Sequence, residues 1–421
     1  MIKFYLETFG CKFNKADSEL IRKILTKKGF KEASEKEADF VILNTCGVVE
    51  KTERKIIKRA EKFKREKKKI IFGGCLPLIS PKICEKIADG LIGPTNILDL
   101  EKVIKNVLKE KKSKYLKQKP IDKAKLKCFA IPQESCVAIL PISEGCLGSC
   151  TYCATKLARG KLRSFDKKEV LKNIKELLKV GVKEIQLTSQ DLAIYGLDRG
   201  KFMLPELLKE ILKIKGDFRI RLGMANLTFF KKIQNPIFKL MKNQKIYKFL
   251  HLPLQSGSNK ILKAMKRVYK AEDFLETVKN FKKNFKLGIL ATDVICGFPG
   301  ETEKDFQETV AIIKKTKPEI LHVFRYSKRK GTEAEKLKDF PDRIKKERSR
   351  ILNEVWLEIL KEKNQKYLGK VFEVLITEKR ENSFLARTNF YKAVILKEGN
   401  LGEFQKVKII NAKPNYLIGE K

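Results

Sequence analysis

Gly145-Cys146-Leu147-Gly148-Ser149-Cys150-Thr151-Tyr152-Cys153 sets three thiols in one loop at the spacing C-x3-C-x2-C, directly after the apolar run 139–142. Three sulfur ligands packed this closely are economical only for a soft metal. A structural zinc site needs a fourth Cys or His, and none follows before the next helical stretch; the nearest histidine in sequence is His251. Three ligands suit a cubane iron-sulfur cluster with one iron left open to another ligand.

Outward from that loop the chain reads as βα units. Strand-like runs at 139–142, 184–188, 219–222, 249–252, 288–296 and 320–324 alternate with helical patterns at 167–179, 205–213, 236–241, 271–282 and after Glu303. Six such units predict a partial (β/α)6 barrel with its site at the carboxyl ends of the strands. There the open iron can hold the amino and carboxylate groups of S-adenosylmethionine and, by reducing its sulfonium, release a 5′-deoxyadenosyl radical. The polar groups placed for that cofactor are Tyr152 in the loop, Gln190 and Asp191 after the second strand, Arg221 on the third, Gln255 after the fourth and Asp293 in the fifth. Gly297 to Gly300 would let backbone approach it. The bland alternatives are helix caps for Asp191 and Asp293, a barrel ion pair for Arg221 and a satisfied core histidine for His251.

The first hundred residues repeat the αβ alternation: 3–8, a helix at 16–28, 39–44, a helix at 52–66, then 69–72. This predicts a parallel α/β sheet. Cys11, Cys46 and Cys75 each stand just past the carboxyl end of a strand, beside Gly or Thr, where an open parallel sheet gathers its ligands. Three thiols far apart in sequence could thus meet in space; the alternative is three ordinary buried cysteines. Cys84, Cys128, Cys136 and Cys296 show no such pattern and read as core.

The 421 residues carry 93 Lys and Arg against 51 Asp and Glu, a net charge of +42. Solubility does not require this excess, and a polyphosphate such as RNA would use it through counterion release; an acidic membrane or drift in composition are the alternatives. Lys109 to Lys127 holds nine lysines in nineteen residues around Pro120 and reads as a linker or basic strap. After a closing helix at 342–367, with Trp356 against the barrel, short alternating strands at 369–376, 383–387, 393–396 and 405–412 predict a small β-barrel, a common single-stranded RNA binder that can also be purely structural. The expected division is 1–108, an α/β domain; 109–130, a linker; 131–362, the barrel; and 363–421, the small β-barrel. No secretory leader or apolar span is evident, so a cytoplasmic location is expected, where ten cysteines favour metal binding over disulfides.

Over essentially its whole length the sequence resembles the radical S-adenosylmethionine methylthiotransferases. The resemblance rests on the N-terminal three-cysteine domain, the Gly145 to Cys153 loop and a TRAM-like barrel containing Leu385-Ala386-Arg387-Thr388-Asn389-Phe390. Ala154 to Gly160, Leu187-Thr188-Ser189-Gln190-Asp191, Arg221-Leu222-Gly223-Met224, His251 to Ser258 and Ala291 to Thr302 look most like the archaeal and eukaryotic branch acting on threonylcarbamoyladenosine in tRNA, although Gln190 stands where that branch commonly has an acid. The resemblance implies that Cys11, Cys46 and Cys75 hold a second four-iron four-sulfur cluster beside the one on Cys146, Cys150 and Cys153. It further implies that one S-adenosylmethionine methylates the sulfur and another supplies the radical. Implied partners are the tRNA anticodon arm, an electron donor and a sulfur source, with no membrane. The substrate would be the threonylcarbamoylated adenosine next to the anticodon, methylthiolated at ring carbon 2. Alternatives are an enzyme acting on isopentenyladenosine or on a ribosomal protein, or an iron-sulfur RNA-binding protein without turnover.

Overall fold

The computed structural model describes residues 1–119 and 121–421; Pro120, part of the expected linker, lies outside the described residues. The N-terminal unit runs β1 (Lys3–Thr8), α1 (Lys12–Lys27), β2 (Lys31–Glu32), β3 (Phe40–Thr45), α2 (Glu50–Arg65), β4 (Lys69–Gly74), α3 (Leu76–Ile79), α4 (Pro81–Ile87), β5 (Gly90–Ile92), α5 (Leu100–Leu108) and β6 (Ser113–Tyr115). All six strands are parallel, in the order β2-β1-β3-β4-β5-β6. Central β3 is apolar from Phe40 to Leu43 and buried throughout, as a strand covered on both faces must be. Its register pairs Asn44 with Thr8 and with Gly73, so β1, β3 and β4 end level and their cysteines emerge at one rim.

The stretch 109–130 is not a free linker. Ser113–Tyr115 adds a sixth strand beyond residue 108, pairing Ser113 with Gly90, and Lys123 is fully buried. Within the expected linker or basic strap, Lys123 has Asp17 at 2.6 Å and Glu144 at 3.0 Å to offset its desolvation.

The barrel follows with β7 (Val137–Pro141), β8 (Ser143–Glu144), α6 (Thr155–Arg159), β9 (Arg163–Ser164), α7 (Lys167–Lys179), β10 (Glu184–Thr188), α8 (Leu204–Lys213), β11 (Arg219–Leu222), α9 (Leu227–Met241), β12 (Phe249–His251), α10 (Asn259–Ala264), α11 (Ala271–Asn284), β13 (Ile289–Cys296), α12 (Glu303–Thr316), β14 (Ile320–Arg325) and α13 (Asp342–Gln365). Two parallel three-stranded sheets, β7-β10-β11 and β12-β13-β14, are joined where Tyr247 N–H donates to the Ile220 carbonyl at 3.0 Å. Side chains alternate along each strand. Leu140, Leu187, Ile220, Leu252, Leu290 and Val294 pack outward against the helices in one core that also takes Phe13 of α1 and, partly buried, Trp356 of α13. The alternate positions, Gln186, Arg221, His251, Asp293 and His322 among them, line the interior.

The C-terminal unit is a closed barrel of β15 (Val371–Arg380), β16 (Ser383–Thr388), β17 (Ala393–Leu396), β18 (Phe404–Ala412) and β19 (Leu417–Glu420) in the order β15-β16-β17-β19-β18. Strand β19 escaped the sequence reading because four residues with a central glycine carry no measurable alternation. The turn between β16 and β17 enters the base of the large barrel. Lys248 N–H donates to the Asn389 carbonyl at 3.0 Å, and the Tyr391 ring lies 4.8 Å from those of Tyr247 and Phe249. These rings share a core with Ile289, Ala291, Phe390 and Val394. Replacing Tyr391 by Ala should therefore cost about 3–5 kcal/mol in denaturant unfolding; a loss below about 1 kcal/mol would mean the turn does not anchor the unit.

Candidate active site

Beyond β7 the chain passes through β8 into the cysteine loop. Gly145 turns with φ +86°, and a side chain there would strike the Gly160 and Lys161 carbonyls. Its N–H donates to Gln190 Oε1 at 2.7 Å, so Gln190 holds the loop on the end of β10. Gly148 N–H donates to Cys146 Sγ at 3.2 Å and Arg267 Nη1 to Cys150 Sγ at 3.4 Å. A β-carbon on Gly148 would stand 3.4 Å from Cys146 Sγ and 3.7 Å from Cys150 Sγ; its absence leaves the space before the sulfurs clear. Burial pushes the Cys146 thiol up to about 12 and also raises Cys153. Such thiols stay protonated at neutral pH until a metal displaces the proton, which fits ligation better than free nucleophilic use.

The other expected pocket residues fall around this loop. Asp191 Oδ1 accepts from Ala193 N–H at 3.1 Å and Asn226 N–H at 2.9 Å, a capping role, while Oδ2 is buried without a partner. Burial pushes its carboxyl up to about 7. Ser189 Oγ and Gln255 Oε1 are likewise buried and unpartnered, at the ends of β10 and β12. Buried polar atoms are seldom left unsatisfied, and three at one barrel mouth fit a polar cofactor. Tyr152 packs edge-on to Phe298, ring centres 6.4 Å apart. A side chain at Gly297 would overlap the Lys345 stem, whereas at Gly300 it would meet open space.

At the facing rim, the residue before Cys11 lies directly on Cys46, whose Sγ would be 3.1 Å from a β-carbon at Gly10. Cys75 N–H donates to the Thr45 carbonyl at 3.0 Å, and Asn14 Nδ2 donates to the same carbonyl at 3.0 Å. Burial raises Cys75 to about 12 and also raises Cys46. Cys75 shares a small buried cluster with Ile79, with Ala154 just before α6 and with Ala158 on α6, the helix that follows Cys153. That helix ends in Arg159, which donates to Asn14 Oδ1 at 2.7 Å, Asp17 Oδ2 at 2.8 Å and Glu144 Oε1 at 2.6 Å. This five-residue helix, about 6 Å of rise from Thr155 to Arg159, thus leads from the cysteine loop to the cation under the N-terminal thiols.

Lys12, next to Cys11, enters the barrel interior and donates to Gln186 Oε1. Burial, then the charges of Arg221 and Arg387 against the opposing pull of Glu184, set the Lys12 ammonium well below its usual value. Arg221 lies 4.5 Å over Phe249 and 5.5 Å from the centre of the Tyr391 ring, which Arg387 approaches to 4.7 Å. Both histidines of the chain bond one carboxylate: His251 Nε2 and His322 Nδ1 are 2.9 and 2.7 Å from Asp293 Oδ1. Burial alone would raise the Asp293 carboxyl, but these two partners hold it well below the usual range. Sequence reasoning missed Lys12, Arg159, Arg267, His322 and Arg387; only Arg159 and Arg387 fell within stretches that carried the resemblance.

Residues 140–313 match the radical SAM superfamily, residues 3–92 the uncharacterized protein family UPF0004 and residues 365–421 the TRAM domain. Among solved structures the fold is similar to the radical S-adenosylmethionine methyltransferase TsrM from Kitasatospora setae, with a TM-score of 0.58 at 10% identity over 80% of this chain and 75% of that one. It is also similar to the cobalamin-dependent S-adenosylmethionine radical enzyme OxsB, with a TM-score of 0.52 at 13% identity over 85% and 56%. Barrel, loop and superfamily match define a radical SAM enzyme, a class that uses S-adenosylmethionine with a four-iron four-sulfur cluster.

A probable threonylcarbamoyladenosine tRNA methylthiotransferase of Archaeoglobus fulgidus is 44% identical over 99% of this chain and 97% of its own length. The threonylcarbamoyladenosine tRNA methylthiotransferase of Homo sapiens is 32% identical over 99% and 74%. The tRNA-2-methylthio-N(6)-dimethylallyladenosine synthase of Carboxydothermus hydrogenoformans is 35% identical over 99% and 98%. The chain belongs to the radical SAM methylthiotransferase family, in the branch with the first two. No helix among the described residues is long and apolar enough to cross a membrane.

A pH test isolates Asp191. Because its carboxyl is raised, the folded, cluster-free chain holds a proton from about pH 4 to 7 that the unfolded chain releases, so stability falls as pH rises through that window. Asp191→Asn should match the parent near pH 4 and exceed it by about 2–4 kcal/mol at pH 8 in chemical denaturation. Equal stability at pH 8 would mean the carboxylate is solvated.

Proposed function

We propose that this protein is a cytoplasmic tRNA methylthiotransferase that converts N6-threonylcarbamoyladenosine beside the anticodon to its 2-methylthio derivative. The observation that carries the reading is the buried cluster of Cys75, Ile79, Ala154 and Ala158, which joins one member of the N-terminal triad to the segment that follows Cys153. Cys146, Cys150 and Cys153 hold the cluster that binds S-adenosylmethionine. Cys11, Cys46 and Cys75 hold a second four-iron four-sulfur cluster, next to the sulfur to be inserted. When bound, the cofactor supplies a primary alkyl radical able to open a ring C–H bond that acid-base chemistry at neutral pH leaves intact.

The chain's own groups bind and orient. Gln190 fixes the loop through Gly145, and Arg267 places a positive charge against Cys150. Ser189, Asp191 and Gln255 offer their unpartnered atoms to the cofactor, with Tyr152 packed behind the loop and Asp293 held by its histidines below. Arg159 offsets negative charge at the second triad, since it acts on Cys11, Cys46 and Cys75 together. An electron donor and a sulfur source come from outside the chain. The names of the archaeal and mammalian relatives support the substrate, and the positive excess supports RNA.

Nucleoside mass spectrometry tests the reading. Purified enzyme should add a methylthio group to tRNA bearing threonylcarbamoyladenosine; product on isopentenyladenosine tRNA alone would overturn the substrate. Alanine at Cys146, Cys150 and Cys153 should abolish 5′-deoxyadenosine formation. Alanine at Cys11, Cys46 and Cys75 should retain that step, eliminate sulfur insertion and lower iron from about eight to about four per chain. Unchanged iron would remove the second cluster.

The small barrel gives a separate prediction. Lys406 and Lys408 stand exposed on the same face of β18, without an ion pair among the described residues. Glutamine at either should lower the slope of log affinity for tRNA against log salt by about 0.7–0.9. An unchanged slope would take this face out of the RNA contact.

A further inference from the structure

The barrel interior holds a charge imbalance that the protein itself leaves open. Lys12, Arg221 and Arg387 enter it from α1, β11 and β16, one from each unit of the chain. Both guanidinium groups stand against the Tyr391 ring, and Lys12 reaches Gln186 beside them. The carboxylate nearest them, Glu184, is already engaged: Gln186 Nε2 donates to Oε1 at 2.6 Å and the Tyr247 hydroxyl to Oε2 at 2.9 Å. Asp293 is taken by the two histidines. Among the described residues none of the three cations has an ion-pair partner, and Arg221 Nε is buried with no hydrogen bond. Of the buried cations, Lys123, Arg159, Arg219, Arg329, Lys345 and Arg348 each have a carboxylate in contact, and Lys392, outside this chamber, has no ion pair among the described residues.

An enclosed set of cations without counterions is built for an anion that arrives with a ligand. Two planar forks and an ammonium match a carboxylate accepting several charge-assisted hydrogen bonds. Lys12 also fixes where that anion lies, because it follows Cys11 and so stands beside the second triad. We infer that Lys12, Arg221 and Arg387 bind the carboxylate of the threonylcarbamoyl group and thereby determine which modified adenosine the enzyme accepts. The inference rests on the substrate proposed above and assigns the reading of its tail to three residues. An isopentenyl tail offers these cations nothing, and burying them against it would leave all three unpaired. Arg221, expected from sequence in the cofactor pocket, turns instead onto Phe249 and Tyr391 and serves the substrate.

The test uses full-length, cluster-loaded protein and two tRNAs that differ at one group: threonylcarbamoyladenosine, and the same nucleoside with its carboxylate converted to the methyl amide. The parent enzyme should bind the charged tRNA about ten- to a hundredfold more tightly than the neutral one. Arg387→Gln should weaken the charged tRNA by about tenfold or more and so close most of that gap, with Arg387→Lys recovering part of the loss. Because Arg387 also packs on Tyr391, Lys12→Gln, in a different unit, gives an independent reading and should behave in the same way. Equal affinity of the parent for both tRNAs would overturn the inference. An equal loss on both tRNAs in the variants would also overturn it, by assigning the cations to backbone phosphate. A matching loss of S-adenosylmethionine affinity would overturn it too, by assigning them to the cofactor's carboxylate. Methylthiolation of threonylcarbamoyladenosine tRNA by the parent, measured alongside, separates failure of this inference from failure of the substrate itself.

Discussion

Four charges buried together hold the two halves of the catalytic cleft in register: Asp17 on α1, Lys123 in the stretch after β6, Glu144 on β8 and Arg159 at the end of α6. Their side chains are 0–2% exposed and within 2.6–3.0 Å of one another. The two carboxylates and two cations offset one another's desolvation, and the partly exposed Arg163 adds a contact to Glu144 Oε2 at 3.2 Å; deleting one member of such a set usually costs about 3–5 kcal/mol. Both cations also lie over the Phe13 ring, Arg159 at 4.3 Å and Lys123 at 5.2 Å, and Phe13 belongs to the barrel core. The positions of both cysteine loops follow, since α1 begins after Cys11 and α6 begins after Cys153.

Much of this architecture was legible because the chain writes it in local patterns. The apolar runs of β1, β3 and β4 and the outward leucines and isoleucines of the barrel announce parallel strands, and a cysteine just past a strand end announces a rim. What was not legible is carried by charge pairs across long separations. Lys123 meets Asp17 across 106 residues, and in a chain with 93 basic residues nothing local distinguishes it from a solvated lysine. Lys12 and Arg387 were hidden for the same reason. Gln190 and Asp191 were expected in the cofactor pocket, but their hydrogen bonds, to Gly145 N–H and to two other backbone N–H groups, depend on a register that only the fold supplies.

The C-terminal unit is built into the active-site cavity as well as onto its outside. Tyr391, in the left-handed region at φ +71°, presents its ring to Tyr247, Phe249 and Arg221 at the base of the barrel. A domain that exposes Lys406 and Lys408 on one face thereby forms the floor of the chamber on the other. Its docking and the shape of the substrate cavity are one geometric fact, because the same hairpin turn supplies both.

The separation of Asp17 from its partners along the chain has a consequence for biogenesis. Arg159 leaves the ribosome 142 residues after Asp17, about 7–28 s later at ordinary elongation rates of about 5–20 residues per second. Over the last part of that interval, about 2–9 s after Tyr115 completes the sheet, the nascent N-terminal unit lacks only the cation beneath its three cysteines and the helix that covers Cys75. Those thiols are therefore accessible to metal delivery, and equally to oxidants, before the barrel exists to enclose them. Chemistry that needs access to these thiols thus has a window during translation that closes when α6 docks.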